Sequence, residues 1–104
     1  MENRLKRKKR QKRIRAKISG KANCPRVVVF RSNKHLYLQA IDDEARKTVA
    51  ASSNVNKQDD PAVILAKALK KAGIKKIVFD RAGYKYHGKI KTIAEKLRNE
   101  GLEF

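Results

Sequence analysis

A bounded helix that leads directly into a strand constrains this chain most. In DPAVILAKALKKAGIKKIVFD, Asp60 to Asp80, Asp60 can accept hydrogen bonds from the first free helical amides. Pro61 has no amide hydrogen to lose at the first helical position, and Gly73 can adopt the left-handed conformation that stops the helix. The helix is expected from Pro61 to about Ala72, with Leu65, Ala68, Leu69 and Ala72 as its apolar stripe and Lys67, Lys70 and Lys71 pointing elsewhere. KKIVFD then reads as a strand. Strand, helix, strand in that order favours a right-handed crossover and a parallel pair within one sheet.

The strands before this helix have their own signals. Pro25 bars a helix from starting there, and RVVVFR, rich in β-branched and aromatic residues, reads as a strand buried on both faces. SNK makes a turn. HLYLQAI then alternates, with Leu36, Leu38 and Ala40 on one face and His35, Tyr37, Gln39 and Ile41 on the other. DDEA turns again into KTVAASS, so Arg26 to Ser53 forms an antiparallel meander. A last helix starts near Gly88, repeats Ile90, Ile93, Ala94 and Leu97 on one face, and stops at Gly101, after which Leu102 and Phe104 fold back onto the core. The expected fold is α/β: a small mixed sheet, three strands antiparallel and one parallel through a crossover helix, with two helices. A chain of 104 residues fits one such domain with a modest core.

Charge divides the chain in two. Met1 to Arg26 carry 12 basic side chains and one acid, whereas Val27 to Phe104 carry 16 basic and 9 acidic ones, for a total of +18. Leu5, Ile14 and Ile18 are the only large apolar residues before Val27, too few to bury a face. The expectation is therefore a flexible basic arm, residues 1–25, joined to one domain, residues 26–104. Ten cations between Arg4 and Lys17 repel one another in an isolated helix but suit a row of phosphates.

So large an excess implies a polyanionic partner, which composition alone leaves open among nucleic acid, an acidic membrane surface and an acidic protein. The arm has no broad apolar face to enter a lipid interface. MENRLKRKKRQKR has no apolar stretch behind its cations, so no secretory signal is expected, and no run is long enough to span a bilayer. The expected location is cytoplasmic. Cys24, the single cysteine, allows no internal disulfide and reads as an ordinary small residue.

The loop after KKIVFD carries the most chemistry. RAGYKYHG connects the carboxyl end of a strand to the amino end of a helix, where α/β sheets tend to bind ligands. Arg81, Lys85 and Lys89 suit phosphates; Tyr84, Tyr86 and His87 offer rings for unstacked bases. One of the two tyrosines is as well suited to packing on the sheet with its hydroxyl bonded inside the protein. Asp80 reads as a brace for the loop, bonding backbone amides or pairing with Arg81.

Catalysis is not expected. Metal-assisted phosphodiester cleavage needs several converging carboxylates, and only Asp80 sits at a strand end near the basic loop. His35, His87 and one cysteine make no zinc spacing, and no glycine-rich nucleotide-binding loop is present. No cofactor, metal or small-molecule substrate is implied.

PRVVVFRSNKHLYLQAIDD and VFDRAGYKYHGKIKTIAEKLRNEGLEF, together with the basic arm ending KISGKANCPR, resemble the bacterial L-eighteen family of large-subunit ribosomal proteins. The resemblance implies a mixed sheet related to the ribonuclease H-like topology. It also implies binding to 5S ribosomal RNA in the central protuberance, beside 23S RNA and neighbouring 5S-associated proteins, with no membrane contact. Carried over by position, RNA contacts fall on the arm at Arg4, Lys6, Arg7, Lys8, Lys9, Arg10, Lys12, Arg13, Arg15 and Lys17. They continue at Arg26, in the hairpin at Arg31, Ser32, Asn33, Lys34, His35 and Tyr37, and in the loop at Arg81, Tyr84, Lys85, Tyr86, His87 and Lys89. Asn33 and Ser32, in a tight turn, also have a plain structural use in bonding the backbone. The family usually has two glycines where this chain has Ala82 and Gly83; if the first needs a positive φ, Ala82 costs about 1 kcal/mol of strain or the loop is shaped differently. The segment from Asn54 to Ala72 is also shorter than the family's.

Overall fold

The computed structural model describes residues 4–32, 35–54, 60–84 and 88–104. Within them the order is α1 (Arg4–Lys17), β1 (Arg26–Arg31), β2 (Leu36–Asp42), β3 (Lys47–Ser53), α2 (Pro61–Lys71), β4 (Val78–Asp80) and α3 (Lys89–Asn99). The strands make one sheet in the order β3-β2-β1-β4. β1 and β2, and β2 and β3, are antiparallel, while β4 joins β1 in parallel. This is the mixed sheet the sequence implies, with the crossover helix carrying the chain from one edge strand to the other.

The helix boundaries follow their caps. The Asp60 side chain accepts a hydrogen bond from the Ala62 amide at 2.9 Å, Pro61 is the first helical residue, and Gly73 has a φ of 80°. The buried face of α2 is Pro61, Ala62, Leu65, Ala66 and Leu69. Ala68 and Ala72, expected in the stripe, are exposed. Alanine is compatible with either side of a helix; the two leucines fix the face, and the small Ala62 and Ala66 lie beside them where the helix meets the sheet. In α3, Ile90, Ile93, Ala94 and Leu97 are all buried, as the spacing predicts.

Both helices cover one face of the sheet. Val27 and Val29 of β1 and Leu38 and Ala40 of β2 join the α2 and α3 residues in a single core. The tail completes it: Leu102 is buried, the Phe104 ring stacks on Phe79 with centroids 5.7 Å apart, and the Ile77 amide donates to the Glu103 carbonyl at 3.0 Å. The other face is not covered by α2 or α3, and α1 lies near its Arg26 end. Successive side chains of a strand point to opposite faces, so Val28 and Phe30 of β1 lie there with Tyr37 and Gln39 of β2, their partners across the hairpin. The expectation that β1 is buried on both faces therefore fails at Phe30, which is 55 % exposed. An unbroken apolar run carries no alternation to say which face is covered.

α1 is the larger departure. Residues 4–17 form a helix, although the density of cations argues against one in isolation. The cause is docking. Arg7, Arg10, Gln11, Ile14 and Ile18 are half-buried at helical spacing, and the cations between them are exposed. The Arg7 guanidinium donates to the Ala82 carbonyl at 3.3 Å, and Arg10 Nε donates to the Gly83 carbonyl at 3.0 Å. Two arginines one turn apart thus grip two successive loop carbonyls. Charge-assisted bonds of this kind are stronger than neutral ones and offset the repulsion along the helix.

Candidate nucleic-acid interface

The candidate surface is built around the loop that follows β4. Ala82 has a φ of 53° and Gly83 one of 80°, so the left-handed turn is kept although its first residue carries a Cβ. The turn carries a strain of about 1 kcal/mol at Ala82 and is braced by a side-chain bond: the Ala82 amide donates to Asp80 Oδ1 at 2.7 Å. Gly83 is needed for contact as well as conformation. A Cβ there would lie 2.3 Å from the Arg7 carbonyl oxygen and 3.0 Å from the Gln11 amide nitrogen. Gly83→Ala is expected to lift α1 off the loop, with the left-handed backbone alone costing about 1–2 kcal/mol. Amide NMR checks this: Arg7, Gln11 and Ile14 should lose their helical shifts while Val27 and Val29 keep theirs, and a docked α1 in the variant would refute the packing argument.

Asp80 is fully buried, and its second oxygen, Oδ2, accepts from Arg26 Nη1 at 2.6 Å. It braces the loop as expected, but its cationic partner is Arg26, not Arg81. Arg26 is 4 % exposed; its Nε and Nη2 bond Asp43 at 3.0 and 3.1 Å. Arg26, an RNA contact by the resemblance, thus has every guanidinium nitrogen facing a carboxylate of the protein. The Asp43 carboxyl is held below the usual carboxylate range, first by the hydrogen bond from Arg26, against the opposing effect of burial, and further by the Gly20 amide and the charges of Arg26 and Arg15. The Arg26 pKa is raised, chiefly by the bond to Asp43. Both Asp80 oxygens are engaged by the protein itself. Among the described residues no group of three His, Cys, Asp or Glu is placed to bind a metal ion.

Tyr84 is the ring that packs inward. It is half-buried; its hydroxyl donates to the Arg31 carbonyl at 3.3 Å and accepts from the Arg31 amide at 3.4 Å. The Arg7 guanidinium lies 4.5 Å from its ring centroid and that of Arg31 5.7 Å away. Tyr84 thus ties α1, the loop and the end of β1 together, and its faces are occupied by the protein's own cations. Arg81 Nη1 donates to the Tyr84 carbonyl at 3.0 Å, closing the same loop. In the hairpin, Ser32 Oγ bonds the backbone of His35 as both donor and acceptor, the structural use its position suggests. Asn33, Lys34, Lys85, Tyr86 and His87 lie outside the described residues.

Two groups of side chains remain available to a partner. Arg4, Lys6, Lys8, Lys9, Lys12, Arg13, Arg15 and Lys17 project from α1 as exposed cations. Phe30 and Tyr37 pair on the open sheet face with centroids 5.9 Å apart, and His35 meets Tyr37 edge-on at 6.4 Å. Exposed Arg31 and Lys89 stand at the hairpin and the start of α3. The residues missing from the sequence reading are Phe30, lost to the both-faces-buried reading of β1, and Asp43. The signal for Phe30 was present: the alternation of HLYLQAI puts Tyr37 on the face away from Leu38, and a tight hairpin sets Phe30 opposite Tyr37.

A row of exposed cations on α1, together with a sheet face that exposes Phe30 and leaves Tyr37 half-buried, has the form of a single-stranded or folded RNA surface. Comparison with known proteins is consistent with that form. Residues 1–104 match the family model described as ribosomal L18 of archaea, bacteria, mitochondria and chloroplast. The large ribosomal subunit protein uL18 of Desulfotalea psychrophila is 47% identical over 113 residues, covering 96% of this chain and 93% of the relative. The uL18 of Oceanobacillus iheyensis is 48% identical over 109 residues, covering 94% and 92%. That of Bacteroides thetaiotaomicron is 48% identical over 101 residues, covering 88% and 89%.

Proposed function

The chain belongs to the ribosomal protein L18 family, and from that premise we propose that it binds 5S ribosomal RNA and helps attach it to 23S RNA in the central protuberance. Membership makes it a structural, non-enzymatic component of the large ribosomal subunit. The finer reading, 5S RNA as the ligand, rests on one observation above all: the exposed cations of α1 together with the sheet face that carries Phe30 and Tyr37. Cations along a helix hold phosphates whatever the sequence, and exposed rings take bases or sugars that are free of a stack. An acidic protein would satisfy the cations but leave the rings without a task.

Two parts divide the work in this reading. Residues 1–25 supply affinity through phosphates, and residues 26–104 supply selectivity through the hairpin, the loop and the open sheet face. Neighbouring 5S-associated proteins meet the domain on the surfaces the RNA leaves free.

The test compares a 5S transcript with a scrambled RNA of equal length at physiological ionic strength. Preference for 5S by about tenfold or more, equivalent to ~1.4 kcal/mol, is expected. Equal affinity for the two RNAs would remove the 5S reading and leave a general polyanion binder.

A further inference from the structure

Apart from the open sheet face, the molecule has a groove on its helical side. It measures about 670 Å³ and lies between the hairpin end of β1 and β2, the start of α2 and the first turns of α3. A duplex cannot enter a space of that size, but it falls within the roughly 300–1,000 Å³ of sites for single small molecules. Its walls are chemically divided. Arg31 and Lys89 are exposed, and neither has a carboxylate partner among the described residues. Asp60, the acid in the groove, is neutralised by Lys96 and committed to capping α2. Leu36, Pro61 and Ile93 supply the apolar part of the lining.

Hydrogen-bonding groups complete the groove. Asn54 uses its side-chain oxygen on the Leu36 amide at 2.8 Å, which leaves its two N–H donors for another group. Thr92 Oγ1 donates to the Gly88 carbonyl at 3.0 Å, which leaves lone pairs to accept. The first turn of α3 has no side-chain cap, because Gly88 holds the cap position. Cations at the mouth, apolar surface within and one donor beside one acceptor match a phosphate, a base face and a base edge.

We propose that this groove receives one unstacked nucleotide of the bound RNA, its phosphate on Arg31 and Lys89 and its base against Leu36, Pro61 and Ile93. The inference rests on the RNA-binding reading above and adds a specific pocket to it. Extruding a base costs a few kcal/mol in a duplex and least where it is already unpaired, so the captured nucleotide comes from a loop or bulge.

The full-length chain is titrated with each of the four nucleoside 5′-monophosphates and with inorganic phosphate, followed by amide NMR. Saturable shifts at Asn54, Thr92 and Ile93 are expected, with at least one nucleotide binding about tenfold tighter than inorganic phosphate, a gap of ~1.4 kcal/mol. Thr92→Trp, which fills the groove from an exposed position, and Lys89→Glu should each abolish those shifts. Affinity of the folded variants for the 5S transcript should fall about tenfold, equivalent to ~1.4 kcal/mol. Shifts confined to α1, or inorganic phosphate matching the nucleotides, would overturn the proposal. So would full 5S affinity in folded variants that no longer bind nucleotide. A wild-type chain that does not prefer 5S fails the functional reading instead, and the nucleotide titration separates the two failures.

Discussion

Arg26→Met should destabilise the domain by about 3–5 kcal/mol, the usual effect of removing one partner from a buried ion pair. Methionine fills much the same volume, so the loss comes from the charge left behind. Asp80, fully buried, would keep only the bond from the Ala82 amide, and Asp43 would keep the Gly20 amide. Equilibrium denaturation in urea measures the change, and a loss under about 1 kcal/mol would show that the network is solvated, since that is the range of exposed pairs. Adding Asp80→Asn should restore part of the loss, because an amide needs no countercharge.

The same network fixes the direction of the pH dependence. The folded-state pKa of Asp43 lies below its unfolded value, so below neutrality the unfolded chain binds more protons at this site than the folded one. Its contribution is complete above the ordinary carboxylate value of about 4 and is lost as pH falls through the depressed folded value. Arg26, its own pKa raised, stays charged throughout. Stability should therefore drop on acidification, and Arg26→Met should remove Asp43's share of that drop.

Neutralising the outer face of α1 should have the largest effect on RNA binding. In a variant carrying Lys8→Gln, Lys9→Gln, Lys12→Gln and Arg13→Gln, the docking residues Arg7 and Arg10 are kept, so the helix stays on the loop. Each lost phosphate contact lowers the salt slope by about 0.7–0.9 log units per log unit of salt. Four lost contacts should reduce it by roughly 3, with weaker binding to 5S and scrambled RNA alike because phosphates carry no sequence. An unchanged slope would show that these cations face solvent in the complex. Selective loss of 5S binding would show that α1 reads bases.

The comparison with Gly83→Ala is informative because it moves α1 without changing its charge. If affinity falls when the helix undocks, the fixed row of cations matters as well as their number. A helix already in place has less conformational freedom to lose on binding than a disordered arm has, by about 1–2 kcal/mol per ordered residue in the limit.

Local signals were sufficient for most of the fold. The cap at Asp60 and Pro61, the stop at Gly73, the helical repeat of Ile90, Ile93, Ala94 and Leu97, and the alternation through Leu36, Leu38 and Ala40 each act within a few residues. Such signals can be read from the chain because the interaction that creates them is itself local. The positive φ at Ala82 was not legible: the sequence left open a strained residue or a differently shaped loop, and the fold takes the first.

What the sequence by itself determined, then, was the order and type of the elements from β1 to α3, their pairing into a mixed sheet, and the cationic excess that demands a polyanion. Only the tertiary structure decided that the arm is a helix, that Arg26 is a buried brace, that Tyr84 packs inward and that Phe30 faces out. Each of these turns on groups brought together from distant positions: Arg26 with Asp80 across 54 residues, and Arg7 with Ala82 across 75. A charged side chain has the same composition whether it meets a phosphate, a carboxylate or a carbonyl, and only the folded chain supplies the neighbour that selects among them.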